Sequence, residues 1–113
     1  MNENNFNESI EELRVFEGNL QGLIAQRQGL QMELNEVENA LAELKDYRDE
    51  IYKIVSGVMI KIEKKKIVVE LEEKGKIVAT KIDLNEKQEK LIEGKIAGIR
   101  RNLDLAAKER KKN

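Results

Sequence analysis

Between Leu13 and Leu44 apolar residues return at alternating intervals of three and four: Leu13, Phe16, Leu20, Leu23, Leu30, Leu34, Val37, Leu41 and Leu44. Arg27 fills the one step of that series that is not apolar. A stripe this narrow is a coiled-coil seam, too thin for a globular core and too apolar for water, so it demands a partner helix. The spacing predicts a helix over about residues 8–52. Asn7 or Ser9 would cap it, and Glu8, Glu11 and Glu12 complement the positive end of its dipole.

After Ser56-Gly57 the period changes to two. Val58, Ile60 and Ile62 are apolar while Lys61 and Glu63 are charged, the pattern of a half-buried strand, and Ile77 to Ile82 reads as a matching run. Between them, residues 64–74 support two readings. Ile67-Val68-Val69 favours a strand, whereas Ile67 and Leu71 among charges suit one or two helical turns. Gly75 supplies a permissive backbone before the second run. A returning helix is predicted over about residues 83–110, capped at Asp83 or Asn85, with Ile92, Ile96, Ile99, Leu103 and Ala106 as its seam.

The expected fold is therefore mainly α with a small β element: one domain over residues 1–113, in which a long antiparallel two-helix coiled coil is joined by a β-hairpin region, 57–82, with a short connector. At about 1.5 Å per residue the first helix spans on the order of 68 Å and the second only about 42 Å. Pairing would then end near residue 25, leaving Leu13, Phe16 and Phe6 without cover from their own chain. An isolated strand pair is marginal in water and its edges are open to other chains. Hairpins of several copies are thus expected to join into a sheet or barrel platform through Val58, Ile60, Ile62, Ile77, Val78, Thr80 and Ile82.

Composition agrees with an elongated single unit, because 38% of the 113 residues are charged and few are left for a broad core. With 21 basic and 22 acidic residues the net charge is −1, so no overall field gathers nucleic acid or anionic membrane. Cysteine and histidine are absent, which removes the thiolate nucleophile, the commonest neutral-pH base and the commonest zinc ligands. Adjacent carboxylates such as Glu11-Glu12 and Glu72-Glu73 lack the opposed geometry of acid and base catalysis. Gly94 and Gly98 lie within a helical pattern and make no phosphate loop. No catalytic residue, metal site or cofactor is expected. Met1 to Asn7 has no signal-peptide character and no run of about 18 apolar residues occurs, so a soluble cytoplasmic protein is the default.

Remaining features have plain readings. Lys64-Lys65-Lys66 and Arg110-Lys111-Lys112 have no interleaved aromatics for base stacking and read as solvated charge. Tyr47 and Tyr52 read as packing residues. Arg27 either fixes register as a buried polar group or lays its stem along the seam with its head in water, and it is assigned no site.

Ile51-Tyr52-Lys53-Ile54-Val55, Ser56-Gly57, the strand Val58 to Ile62, Glu70-Leu71-Glu72-Glu73-Lys74 and Lys87-Gln88-Glu89 follow one another at the spacings of a known family. The chain resembles the β-type subunit of prefoldin. That resemblance implies an ATP-independent chaperone in which α-type and β-type subunits join hairpins into a barrel platform carrying six coiled coils. It further implies that non-native polypeptides are gripped at the tips and passed to a group II chaperonin. A grip on unfolded chains needs adaptable apolar contacts acting together. Phe6, Ile10, Leu13 and Phe16 near one terminus and Leu103 and Leu105 near the other fit that need, although they also suit the seam itself. The other class in contention is a passive coiled-coil scaffold.

Overall fold

The structure, a computed structural model, describes residues 2–112, with side chains through Arg110. Lys111 and Lys112 of the basic tail therefore lie outside the described side chains. In chain order the elements are α1 (Glu3–Asp46), β1 (Ile51–Val55), β2 (Val58–Ile62) and α2 (Lys64–Lys112). Two long helices with a two-stranded antiparallel hairpin between them are the fold class that the sequence pattern predicted, but the boundaries differ in instructive ways.

α1 begins earlier than Asn7 because Asn2 caps it. The Asn5 N–H donates to Asn2 Oδ1 at 2.8 Å and the Phe6 N–H to the Asn2 carbonyl at 3.0 Å, with Glu3 in the first turn. α1 ends at Asp46 instead of near Tyr52, since Ile51 to Val55 pair with Val58 to Ile62. Ser56-Gly57 is the turn itself. Its φ angles of 49° and 80° are both positive, as in the two-residue type I′ turns whose twist matches that of the strands. Two β-prone runs separated by Ser-Gly are the sequence signal for that hairpin, masked by the apparent continuation of the preceding helix.

The expected strand at Ile77 to Ile82 is helical, and α2 starts at Lys64, not near Asp83. The Glu63 carbonyl accepts from the Lys66 and Ile67 N–H groups at 3.0 and 3.2 Å, opening the helix. A lysine at this positive end is poorly placed for the dipole. Lys64 instead donates its Nζ to the carbonyls of Lys45 and Tyr47, both at 3.1 Å, and so caps the end of α1. The two-residue alternation at 77–82 was incidental to a longer series. Leu71, Gly75, Val78, Ile82, Asn85, Glu89, Ile92, Ile96, Ile99, Leu103 and Ala106 recur by fours and threes without a break, and Val78 and Ile82 are buried. Packing overrides the β propensity of single residues. Three members of the series are not apolar hydrocarbons, which hid its first half. Gly75 belongs to this seam: a Cβ there would lie 3.5 Å from Val37 Cγ1 and 4.0 Å from Leu34 Cδ1.

The chain divides into two compact units. The described parts of Met1–Gln28 and Leu84–Asn113 make one, in which α1 and α2 run antiparallel: Glu17 pairs with Arg100, Arg27 with Glu89, and the Leu23 carbonyl with Asn85. Ile96 and Ala106 are buried there. Gly29–Asp83 makes the other, with Val37, Val78 and Ile82 as its core, Lys74 at 3.5 Å from Glu33, and Lys53 at 2.8 Å from Glu70. At 49 residues α2 is longer than the 44 of α1, so the expectation that pairing stops near residue 25 is overturned. Lys95 Nζ lies over the Phe16 ring and the Arg110 guanidinium over the Phe6 ring.

Gly57 and Gly75 of unit Gly29–Asp83 should respond oppositely to alanine. Gly75→Ala fills ordinary contact space in a helix and should raise stability by about 1 kcal/mol, whereas Gly57→Ala at positive φ should lower it by about 1–2 kcal/mol. Thermal denaturation of both variants checks this; a destabilised Gly75→Ala would contradict the seam assignment.

Candidate functional site

The hairpin exposes Tyr52, Ile54, Val55, Val58, Met59 and Ile60. Its register pairs Ile51 with Ile62, Tyr52 with Lys61, Lys53 with Ile60, Ile54 with Met59 and Val55 with Val58. Directly paired residues share a face. One face thus carries Ile51, Ile60, Ile62, Val55 and Val58, and the other Ile54 and Met59, which are 71% and 64% exposed. Both faces carry apolar groups, beside Lys53 on the first and Tyr52 and Lys61 on the second, and among the described residues the sheet has only these two strands, leaving each with an open edge. The first face borders a groove of about 850 Å³ against Val69 and Glu70 of α2. On the second, Glu50 accepts from the Tyr52 hydroxyl at 2.6 Å and from Lys61 Nζ at 3.0 Å. These bonds, the tyrosine first, hold the Glu50 carboxyl below its ordinary pKa and raise that of Tyr52.

Of the seven residues assigned to assembly, Val58 and Ile60 lie exposed on β2 and Ile62 is half-buried at its end. The other four lie on α2. Val78 and Ile82 are occupied by the seam, while Ile77 and Thr80 face outward, the Thr80 hydroxyl donating to the Lys76 carbonyl at 3.0 Å. Tyr52, Ile54, Val55 and Met59 are hairpin surface outside the predicted set, because the first helix was expected to run to about residue 52 with no strand at 53–55, and Met59 lies on the face of β2 opposite Val58, Ile60 and Ile62.

A second candidate surface lies at the end of unit one that holds the termini. Phe6, Ile10, Leu13, Phe16 and Leu103 are half-buried on the two helices, and Leu105 is 54% exposed. The Arg110 guanidinium stands 4.3 Å from the Phe6 ring centroid and Lys95 Nζ 5.3 Å from that of Phe16, contacts that attract cation to ring. These apolar groups are thus partly used by the seam and partly open. Val15, at 58% exposure, adds to the open set and had escaped notice because it lies off the heptad.

Arg27 has a partner that the heptad pattern did not reveal. Its Nε donates to both oxygens of Glu89, at 3.1 and 2.8 Å, and Asn85 Nδ2 donates to Glu89 Oε2 at 3.0 Å and to the Leu23 carbonyl at 2.8 Å. Asn85 and Glu89 are buried. The Arg27 hydrogen bond, supported by Asn85, holds the Glu89 carboxyl below its ordinary pKa against the opposing effect of burial. No group of three or more residues suited to a metal occurs among the described residues, and no helix is long and apolar enough to cross a membrane.

Two long helices bridged by a hairpin with unsatisfied edges define a class of assembling coiled-coil chains. The chain belongs to the prefoldin subunit family, whose model matches residues 7–110. Within that family it is similar to β subunits. It is 32% identical to the prefoldin subunit beta of Pyrococcus horikoshii over 97 residues, covering 84% of this chain and 83% of that protein. To the prefoldin subunit beta of Thermoplasma volcanium it is 30% identical over 104 residues, covering 89% and 81%. The crystal structure of the prefoldin beta subunit from Thermococcus strain KS-1 superposes with a TM-score of 0.85 at 28% identity, over 90% of this chain and 91% of that one.

The seam ion pair carries a pH signature. Because the folded Glu89 titrates below its unperturbed value of 4.5, its contribution to stability is complete above that value and is lost as pH falls below it through the lowered folded value. Melts taken from neutral pH into the acid range should show Glu89→Gln starting less stable than the wild type and losing less on acidification. An acid slope unchanged by the substitution would contradict the pairing.

Proposed function

We propose that this chain is a β-type subunit of an ATP-independent holdase: it assembles with α-type and other β-type copies through its hairpin and holds non-native polypeptides at the termini end of its helix pair. Its partners are then those subunits, unfolded clients and a group II chaperonin that receives the cargo, in the cytoplasm; the proposed work uses no cofactor, nucleic acid or membrane. Membership of a chaperone family supports this reading. The observation that carries it is the hairpin, whose two faces both present apolar side chains to solvent in a chain with no other strand among its described residues. Such a surface is stable only when covered.

For the client site, the support is the mixture of half-buried and open apolar groups at residues 6–16 and 103–105. Side chains of this kind offer contacts without demanding a fixed geometry. Several weak contacts on several subunits would combine into a firm grip, which suits a ligand with no structure of its own. The whole chain serves as one functional domain in this reading.

Substitutions off the seam test it without unpairing the helices. Val15→Ser with Leu105→Ser, assembled with an α-type subunit, should keep the oligomer's mass and weaken suppression of aggregation of a denatured client several-fold. Val58→Ser with Met59→Ser should instead reduce the oligomer mass. Undiminished suppression by the first pair would contradict the client site, and binding of one folded partner with no response to unfolded chains would favour a passive scaffold.

A further inference from the structure

The seam of α1 is apolar at every step from Leu13 to Leu44 except Arg27, and most of those steps are leucine. Such a stripe does not distinguish partners: a second copy of α1 would fit it as well as α2 does. The same holds for Ile92 to Ala106 on α2. Position 27 and its counterparts break the degeneracy. We infer that the Arg27–Glu89–Asn85 cluster selects the partner helix, committing α1 to α2 of its own chain and penalising α1–α1 or α2–α2 pairing between copies.

The selection follows from charge and hydrogen bonding. In the observed pairing Arg27 Nε meets both Glu89 oxygens, Asn85 joins Glu89 to the Leu23 backbone, and no buried side-chain nitrogen or oxygen among the described residues lacks a partner. Parallel pairing of two α1 helices sets Arg27 against Arg27, and of two α2 helices Glu89 against Glu89. Antiparallel pairing of two α1 helices leaves Arg27 with no carboxylate on the facing seam, and of two α2 helices leaves Glu89 with no cation there. A buried ion pair adds little net stability, but a buried charge stripped of its partner is strongly unfavourable; Glu89 is buried and Arg27 half-buried, so the cluster acts mainly against the alternatives, through Glu89 first. Around it Glu86, Lys90 and Glu93 border the same surface recess, and none of them occupies a seam step.

Exchange of the charges between chains tests this on the full-length protein, which has no cysteine of its own. Leu20 on α1 and Ile96 on α2 border one groove, so L20C and I96C report their helices' proximity. A chain with R27E and L20C mixed with a chain with E89R and I96C regains opposite charges only by pairing helices between chains. Refolded together, they should give several-fold more interchain disulfide than the L20C and I96C chains mixed without the charge changes. Should either charge variant fail to fold, the apolar triple R27M/N85L/E89M carrying L20C provides a second readout. It should form several-fold more L20C-linked dimer than L20C alone. Interchain yields equal to those of the controls would overturn the inference.

Discussion

Everything in this molecule follows from burying a stripe about one residue wide. Each helix contributes a side chain every three or four positions, and neither stripe can be hidden except against the other. Among the described residues only five apolar ones are buried, Val37, Val78, Ile82, Ile96 and Ala106. With so thin a core, stability accumulates along length, and small terms at single steps carry weight. Gly75 leaves room for a methyl in ordinary contact with Val37 and Leu34, and Lys64 closes the end of α1 by donating to the carbonyl of Lys45 within it and to that of Tyr47 just beyond it.

The seam also explains what is left over. Once α1 and α2 have satisfied each other, the ten strand residues of β1 and β2 remain, most of them exposed, with only Ile51 and Ile62 half-buried. The turn at Ser56-Gly57 fixes their register, and the register places apolar groups on both faces. Helix pairing is thus internal to the chain, whereas the hairpin keeps open edges and exposed apolar groups that its own two strands do not cover. The proposed assembly and the proposed client grip are two uses of the same imbalance, one at each site where the seam does not consume the apolar surface.

How much of this was legible depends on whether a residue's neighbours share its period. The first seam read correctly because nine of its ten steps from Leu13 to Leu44 are apolar. The second was recognised only from Ile92 onward, because Gly75, Asn85 and Glu89 interrupt its earlier half and Ile77 to Ile82 happen to alternate. That error shortened α2, displaced the second strand and left the first terminus wrongly bare. The hairpin was written in Ser56-Gly57 between two β-prone runs, but the preceding helix pattern ran into the first of them. Arg27 was visible as an exception, while Glu89 was not visible as its answer, since a glutamate on a charge-rich helix carries no mark of burial. Hairpin assembly was legible in the open edges of a lone strand pair, whereas client capture became readable only beside the family resemblance, because exposed apolar groups say that something must cover them and not what.

The most direct measurement is hydrogen exchange on the full chain across a dilution series. The account predicts that amides around Val78, Ile82 and Ile96 stay protected at concentrations where copies separate, while those of Ile51 to Ile62 lose protection. Simultaneous loss of protection in helices and hairpin would contradict it, by showing that the helices depend on assembly and not on their own seam.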